Sequence, residues 1–212
     1  SLIVLDMRSP GVKPQPIDLI SGKSAFCQVF FDGVKVPKSQ LIGPLNGGWN
    51  LAKYLLQHER KAMSKFGEFS LPSHVDLLGL MREYVPAPQS QSEHALHARA
   101  TACAMNEQAY NLTVQRMGEE GRAGEDVSGL MSIMKLVHTE QERDKFEVLL
   151  DAMGGAAFGW QSEAFSEQQL AVTRSWLNSY ALTISGGASE IQLNVIAKRV
   201  LGLPDAKKGA NQ

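Results

Sequence analysis

After Asn46-Gly47-Gly48, apolar residues recur at helical spacing in six successive segments, a pattern that suits a bundle of helices and little else. The segments are Trp49 to about Lys65, Ser73 to Tyr84, Glu93 to about Met117, Ser128 to Met153, Gln168 to Thr183 and Ser189 to Leu201. They are broken at Ser70-Leu71-Pro72, at Val85-Pro86-Ala87-Pro88, across Gly118 to Gly124, and at Gly154-Gly155. Short breaks between long helices make sequential neighbours antiparallel. The first forty-five residues differ. Leu2 to Leu5 and Ala25 to Phe31 are strand-like runs, and Asp32-Gly33 is a turn that leads into a third short strand, Val34-Lys35-Val36. The predicted fold class is α+β, mainly α: a β segment at 1–45, an antiparallel up-and-down helical bundle at 46–205, and a polar tail at 206–212.

Composition removes several function classes. The 212 residues carry a formal net charge of -1, so no global field draws the chain toward nucleic acid or an anionic membrane. No apolar run approaches the ~20 residues of a membrane-spanning helix. Cys27 and Cys103 lack disulfide-framework or zinc spacing, so both are expected as buried thiols in a reducing compartment such as the bacterial cytoplasm. No signal peptide is evident, and Ser1 opens directly into a strand-like run, as if an upstream segment had been removed. No G-x-x-x-x-G-K or G-x-G-x-x-G motif is present.

A few constellations bear on chemistry. His94 and His97 share a helix and His138 lies on another, but no carboxylate or thiol accompanies them at ligand spacing, so no metal site is expected. Gly186-Gly187 precedes a helix. Two glycines let backbone approach a ligand closely, and a helix amino terminus favours anions. The same pair also serves as a plain turn into a helix capped by Ser189 or Ser185. Trp160 suits either the border of a pocket or interhelix packing. Met131, Met134 and Leu136 suit core or subunit interface.

Three segments together resemble the acyl-CoA dehydrogenase family. The first is Phe30-Phe31-Asp32-Gly33-Val34-Lys35-Val36-Pro37, then Leu41-Ile42-Gly43 and Asn46-Gly47-Gly48-Trp49. The second is Gly154-Gly155 after a long helix. The third is Gly186-Gly187-Ala188-Ser189-Glu190-Ile191-Gln192, followed by Ile196-Ala197 and Arg199 to Pro204. The resemblance covers nearly all of this chain and about half of a family member. It makes residues 1–45 the barrel-like second half of a middle β domain. It implies FAD as cofactor, an acyl-CoA thioester as substrate, an electron-transfer flavoprotein as acceptor, and related subunits in a dimer or tetramer. In the implied reaction a carboxylate removes the α-proton while hydride leaves the β-carbon for the flavin.

The resemblance also assigns residues. Most members carry the base where this chain has Gly186. Others carry it on the helix after the β domain, just before an arginine, which here is Glu59 followed by Arg60. Helix geometry bears on Glu59 separately: Ala52, Leu55, Leu56, Ala62 and Met63 share its face, and a carboxylate on an apolar stripe has a raised pKa. The competing assignment is a glutamate at the stripe's margin, paired with a cation on another helix. By resemblance, the flavin set is Arg82, Gly154, Gly155, Gly187, Ala188 and Glu190, with Arg60 and Gly186 toward substrate. Three positions depart from the family pattern. Ala188 replaces a threonine, Asp151 replaces a glutamine, and Arg82-Glu83-Tyr84-Val85-Pro86 lacks the Phe-Gly of the arginine segment. The alternatives to a catalytic subunit are a flavin-deficient partner in a mixed oligomer, an assembly-only helical fragment, and a flavin-dependent hydroxylase.

Overall fold

The computed structural model describes residues 1–22, 24–63, 75–161 and 163–204, with the side chains at 57, 59–63 and 128 outside that description. The chain divides into two compact units, 1–72 and 73–212.

Among the described residues, the first unit holds four strands and one α-helix. β1 (Leu2–Ile3) pairs antiparallel with β4 (Leu41–Ile42), and β2 (Val12–Ile17) pairs antiparallel with β3 (Phe26–Phe31). The strand β2, which contains Pro14 and Pro16, was not expected from the sequence, and proline is disfavoured inside a strand. Both prolines sit where a ladder tolerates them. The Asp32 N–H donates to the Gly11 oxygen at 2.9 Å, so the odd-numbered residues of β2, opposite even-numbered residues of β3, make the cross-strand bonds. Pro14 and Pro16 fall on the alternate positions, whose nitrogens face away from β3. The expected strand at Val34–Val36 does not form. It has no ladder partner among the described residues, and Pro37 leads into a 3₁₀ turn at Lys38–Gln40. Cys27, expected to be buried, is exposed on β3. The helix α1 (Gly48–Met63) begins at the second glycine of Asn46-Gly47-Gly48.

The second unit is an antiparallel helical bundle of α2 (Leu77–Tyr84), α3 (Gln91–Arg122), α4 (Ser128–Met153), α5 (Glu167–Leu182) and the short α6 (Ser189–Val195). Local chemistry sets the ends. The Asp76 carboxylate accepts from the Gly79 N–H at 2.8 Å and starts α2. Pro86 excludes helical geometry at Val85 (φ -134°), which ends it. Ser90 with Glu93, and Ser166 with Gln169, form reciprocal capping boxes at the starts of α3 and α5. The predicted last helix is split, since α6 passes into a π-helical turn at Ile196–Val200.

The core lies among α2, α3, α4 and α5. Leu80, Met81, Ala100, Phe146, Val148, Leu149, Met153 and Val172 are buried together. Above it, the α3–α4 seam is polar. Lys145, only 8% exposed, stands 3.6 Å from both Glu107 and Glu142, and the His138 ring stacks on Tyr110 at 5.2 Å. Burial holds the His138 imidazole below its ordinary value, helped by Lys145 and opposed by Glu142 and Glu107. The unfolded chain therefore binds this proton first as pH falls, and stability present at neutrality is lost below about pH 6.5. Thermal melts from pH 7.5 to 5.5 should show a shallower decline for His138→Gln than for wild type. Identical slopes would remove His138 from the account.

Candidate functional site

The α5–α6 turn is held by Lys135 and Gln192, to which the sequence reading gave no role, and by Ser189, expected there as a helix cap. Lys135, on α4, donates from Nζ to the Gly187 oxygen at 2.8 Å and to the Thr183 oxygen at 3.4 Å. Gln192 donates from Nε2 to the Gly186 oxygen at 2.9 Å. Ser189 donates to the Glu140 carboxylate at 2.6 Å. The Ser189 hydroxyl thus reaches α4 and does not cap α6, contrary to expectation, and Ser185 turns back to the Leu182 oxygen instead. Gly187 has φ +103°, and a Cβ there would stand 2.6 Å from Gln192 Nε2. The positive φ favours glycine, and a Cβ would also push the Gln192 amide aside. Gly186 and Glu190 are exposed, while Gly187 and Ala188 are half-buried. Burial lowers the pKa of the Lys135 ammonium, and Glu140 partly restores it.

A second cluster lies at the other end of α4. The helix closes at Gly154 (φ 51°, ψ -123°) and passes into a 3₁₀ turn, Gly154–Phe158. Open space surrounds both Gly154 and Gly155 where a Cβ would stand. Asp151, in the preceding turn, forms an ion pair with Arg99 at 2.6 Å. That pairing offsets the acidic charge near the glycines. Arg82 projects into solvent from α2, which packs on the carboxyl-terminal half of α4 through Leu77, Leu80 and Met81. Since the Arg99–Asp151 pair is half-exposed, Asp151→Gln should change stability by less than about 1 kcal/mol. A melt that drops further would give the pair a structural weight this geometry does not support.

The structure therefore divides the predicted set. Arg82, Gly154 and Gly155 occupy one end of the bundle, and Gly186, Gly187, Ala188 and Glu190 occupy the other. Lys135 and Met153 mark these ends on one helix, about 27 Å apart at the α-helical rise. Glu59 and Arg60 belong to α1, and their side chains lie outside the described residues. Of the apolar neighbours expected around Glu59, Leu55 and Leu56 are exposed.

The remaining candidates have local roles. His97 hydrogen-bonds the Val85 oxygen at 2.7 Å, His138 stacks on Tyr110, and His94 is exposed. Trp160 is 37% exposed and lies outside the core cluster. The Arg174 guanidinium lies 5.3 Å from its ring centroid and donates to its carbonyl at 3.0 Å. Met134 is buried, while Met131 and Leu136 are partly so. Among the described residues, no helix is long and apolar enough to cross a membrane.

The exposed Gly186, the open space at Gly154 and Gly155, and the neutralised Asp151 fit a large anionic cofactor lying on backbone. Comparison with known proteins identifies the family. The family model "Acyl-CoA dehydrogenase, C-terminal domain" matches residues 46–201. The chain is 31% identical over 213 residues to acyl-CoA dehydrogenase IpdE1 of Mycolicibacterium smegmatis, covering 99% of this chain and 50% of that one. It is 30% identical over 203 residues to acyl-CoA dehydrogenase FadE34 of Mycobacterium tuberculosis, covering 95% of this chain and 26% of that one. It thus spans half or less of these two relatives. Among solved structures, the Tcur3481-Tcur3483 steroid ACAD superposes with a TM-score of 0.77 at 21% identity, covering 96% of this chain and 52% of that one. The ChsE4-ChsE5 complex from Mycobacterium tuberculosis gives 0.72 at 20% identity, covering 96% and 53%. The glycine turns, the helical bundle and these matches lead to one assignment: the chain belongs to the acyl-CoA dehydrogenase family and carries that family's C-terminal domain.

Proposed function

We propose that this chain is a catalytic subunit of an FAD-dependent acyl-CoA dehydrogenase, which desaturates an acyl-CoA thioester to the trans-2-enoyl-CoA. Glu59 takes the α-proton, and the adjacent Arg60 contacts the substrate. The chemistry that FAD supplies when bound is acceptance of the hydride from the β-carbon. Gly186 and Gly187 let backbone approach flavin and thioester, and Ala188 and Glu190 continue that surface. Arg82, Gly154 and Gly155 meet the flavin of a neighbouring subunit. The electrons then pass to an electron-transfer flavoprotein. A reducing, cytoplasmic compartment suits the free thiols.

The observation that carries the reading is the separation of the two glycine clusters along α4. Two copies, each lending one end, complete two sites. Complementation tests this. An Arg82→Ala chain and a Gly187→Val chain should each bind FAD poorly alone. Coassembled from a denatured mixture, they should recover up to about half the wild-type flavin per mixed dimer. No recovery in verified mixed assemblies would count against the shared site.

A flavin-deficient partner subunit is the second reading. Ala188, which offers no hydroxyl, favours it. The Tcur3481-Tcur3483 steroid ACAD and the ChsE4-ChsE5 complex, each named for two components, are compatible with it. Copurification with a related chain that alone carries the flavin would select it.

A further inference from the structure

We infer that Lys135 is a positioning residue for the flavin: by drawing the Gly187 carbonyl toward α4, it turns the Ala188 N–H outward as a hydrogen-bond donor to the bound cofactor. The inference rests on the proposed function and adds a residue to it.

The argument starts from peptide geometry. The Gly187 carbonyl and the Ala188 N–H belong to one planar unit, and no peptide bond among the described residues is cis, so the two point in opposite directions. Lys135 Nζ lies 2.8 Å from the Gly187 oxygen, on the α4 side. The Ala188 N–H therefore points away from α4. A charged donor on the carbonyl also polarises the peptide and strengthens that N–H. Two further ties fix the turn around this unit. Gln192 holds the Gly186 oxygen, and Ser189 is anchored to Glu140. The Ser189 N–H donates to the Thr183 oxygen at 3.0 Å, and that oxygen also receives Lys135. One ammonium thus braces both sides of a turn whose two glycines, at φ +66° and +103°, have little stiffness of their own. The device also suits a chain with Ala188, where the backbone is the only donor the residue offers.

Three variants in the native assembly test it, each read by amide exchange without cofactor and by FAD titration. Lys135→Met should accelerate exchange of the Ser189 amide about tenfold and leave Leu149 to Met153 unchanged. It should weaken FAD binding about tenfold, the loss expected for one charge-assisted bond, and blur the vibronic structure of the bound-flavin spectrum. Lys135→Arg should restore a large part of both. Lys145→Met, which removes a buried lysine elsewhere on α4, should move neither. Unchanged exchange at Ser189, unchanged FAD affinity in Lys135→Met, or equal effects from Lys145→Met would each overturn the inference. Wild type that binds FAD normally while Lys135→Met does too leaves the proposed function standing and removes Lys135. Wild type that cannot be loaded with FAD removes both.

Discussion

Glu59→Gln should lower acyl-CoA-dependent flavin reduction by about a thousandfold while leaving bound flavin in place. The magnitude follows from general-base catalysis, which contributes roughly a hundredfold to ten-thousandfold. An amide accepts no proton at neutral pH, and it matches the carboxylate in size. The split between lost reduction and retained flavin separates a base from a structural residue. The assignment rests on the helical position of Glu59 before Arg60, and on the glycine at 186 where other members carry an acid. If Glu59→Gln reduces its flavin at the wild-type rate, the base lies elsewhere. The pH profile adds a second reading: the acidic limb of wild-type reduction should report one group that must be deprotonated, and Glu59→Asp should shift that limb without removing it.

Leu149→Ala should destabilise the bundle by about 3 kcal/mol. The Leu149 side chain is 0% exposed and lies on α4 within the cluster that joins α2, α3 and α5. Removing it leaves a cavity lined by residues of several helices, which cannot all close in at once. For a bundle of this size the midpoint should fall by about 10 °C. Leu112→Ala is the control, because Leu112 is exposed on α3 and should change stability by less than about 0.5 kcal/mol. Equal effects at the two positions would contradict the placement of the core.

Much of the bundle was legible in the sequence because helical periodicity is a local signal. The limits of α4 coincide with the expected Ser128 to Met153, and Pro86 ends α2 as predicted. The strand β2 was not legible. Its two prolines are tolerated only because of the register of the ribbon, which is set by a partner strand. The glycine clusters were found from sequence, but the braces around them were not. Lys135 precedes Gly187 by 52 residues, and Glu140 precedes Ser189 by 49, so no local pattern links them. Arg99 likewise gives no sign in sequence that it answers Asp151. Nor could periodicity show that Gly154-Gly155 and Gly186-Gly187 occupy opposite ends of one helix. That required the packing of α5 against α4.

Anaerobic titration of the purified native assembly with butyryl-, octanoyl-, palmitoyl- and sterol-side-chain CoA thioesters tests the central claim most directly. The account predicts a yellow protein whose flavin bleaches with at least one of them. Mass spectrometry should then show an equivalent of product lighter by two hydrogens. An assembly that stays colourless after reconstitution with FAD, or a bound flavin that none of these thioesters bleaches, would contradict it.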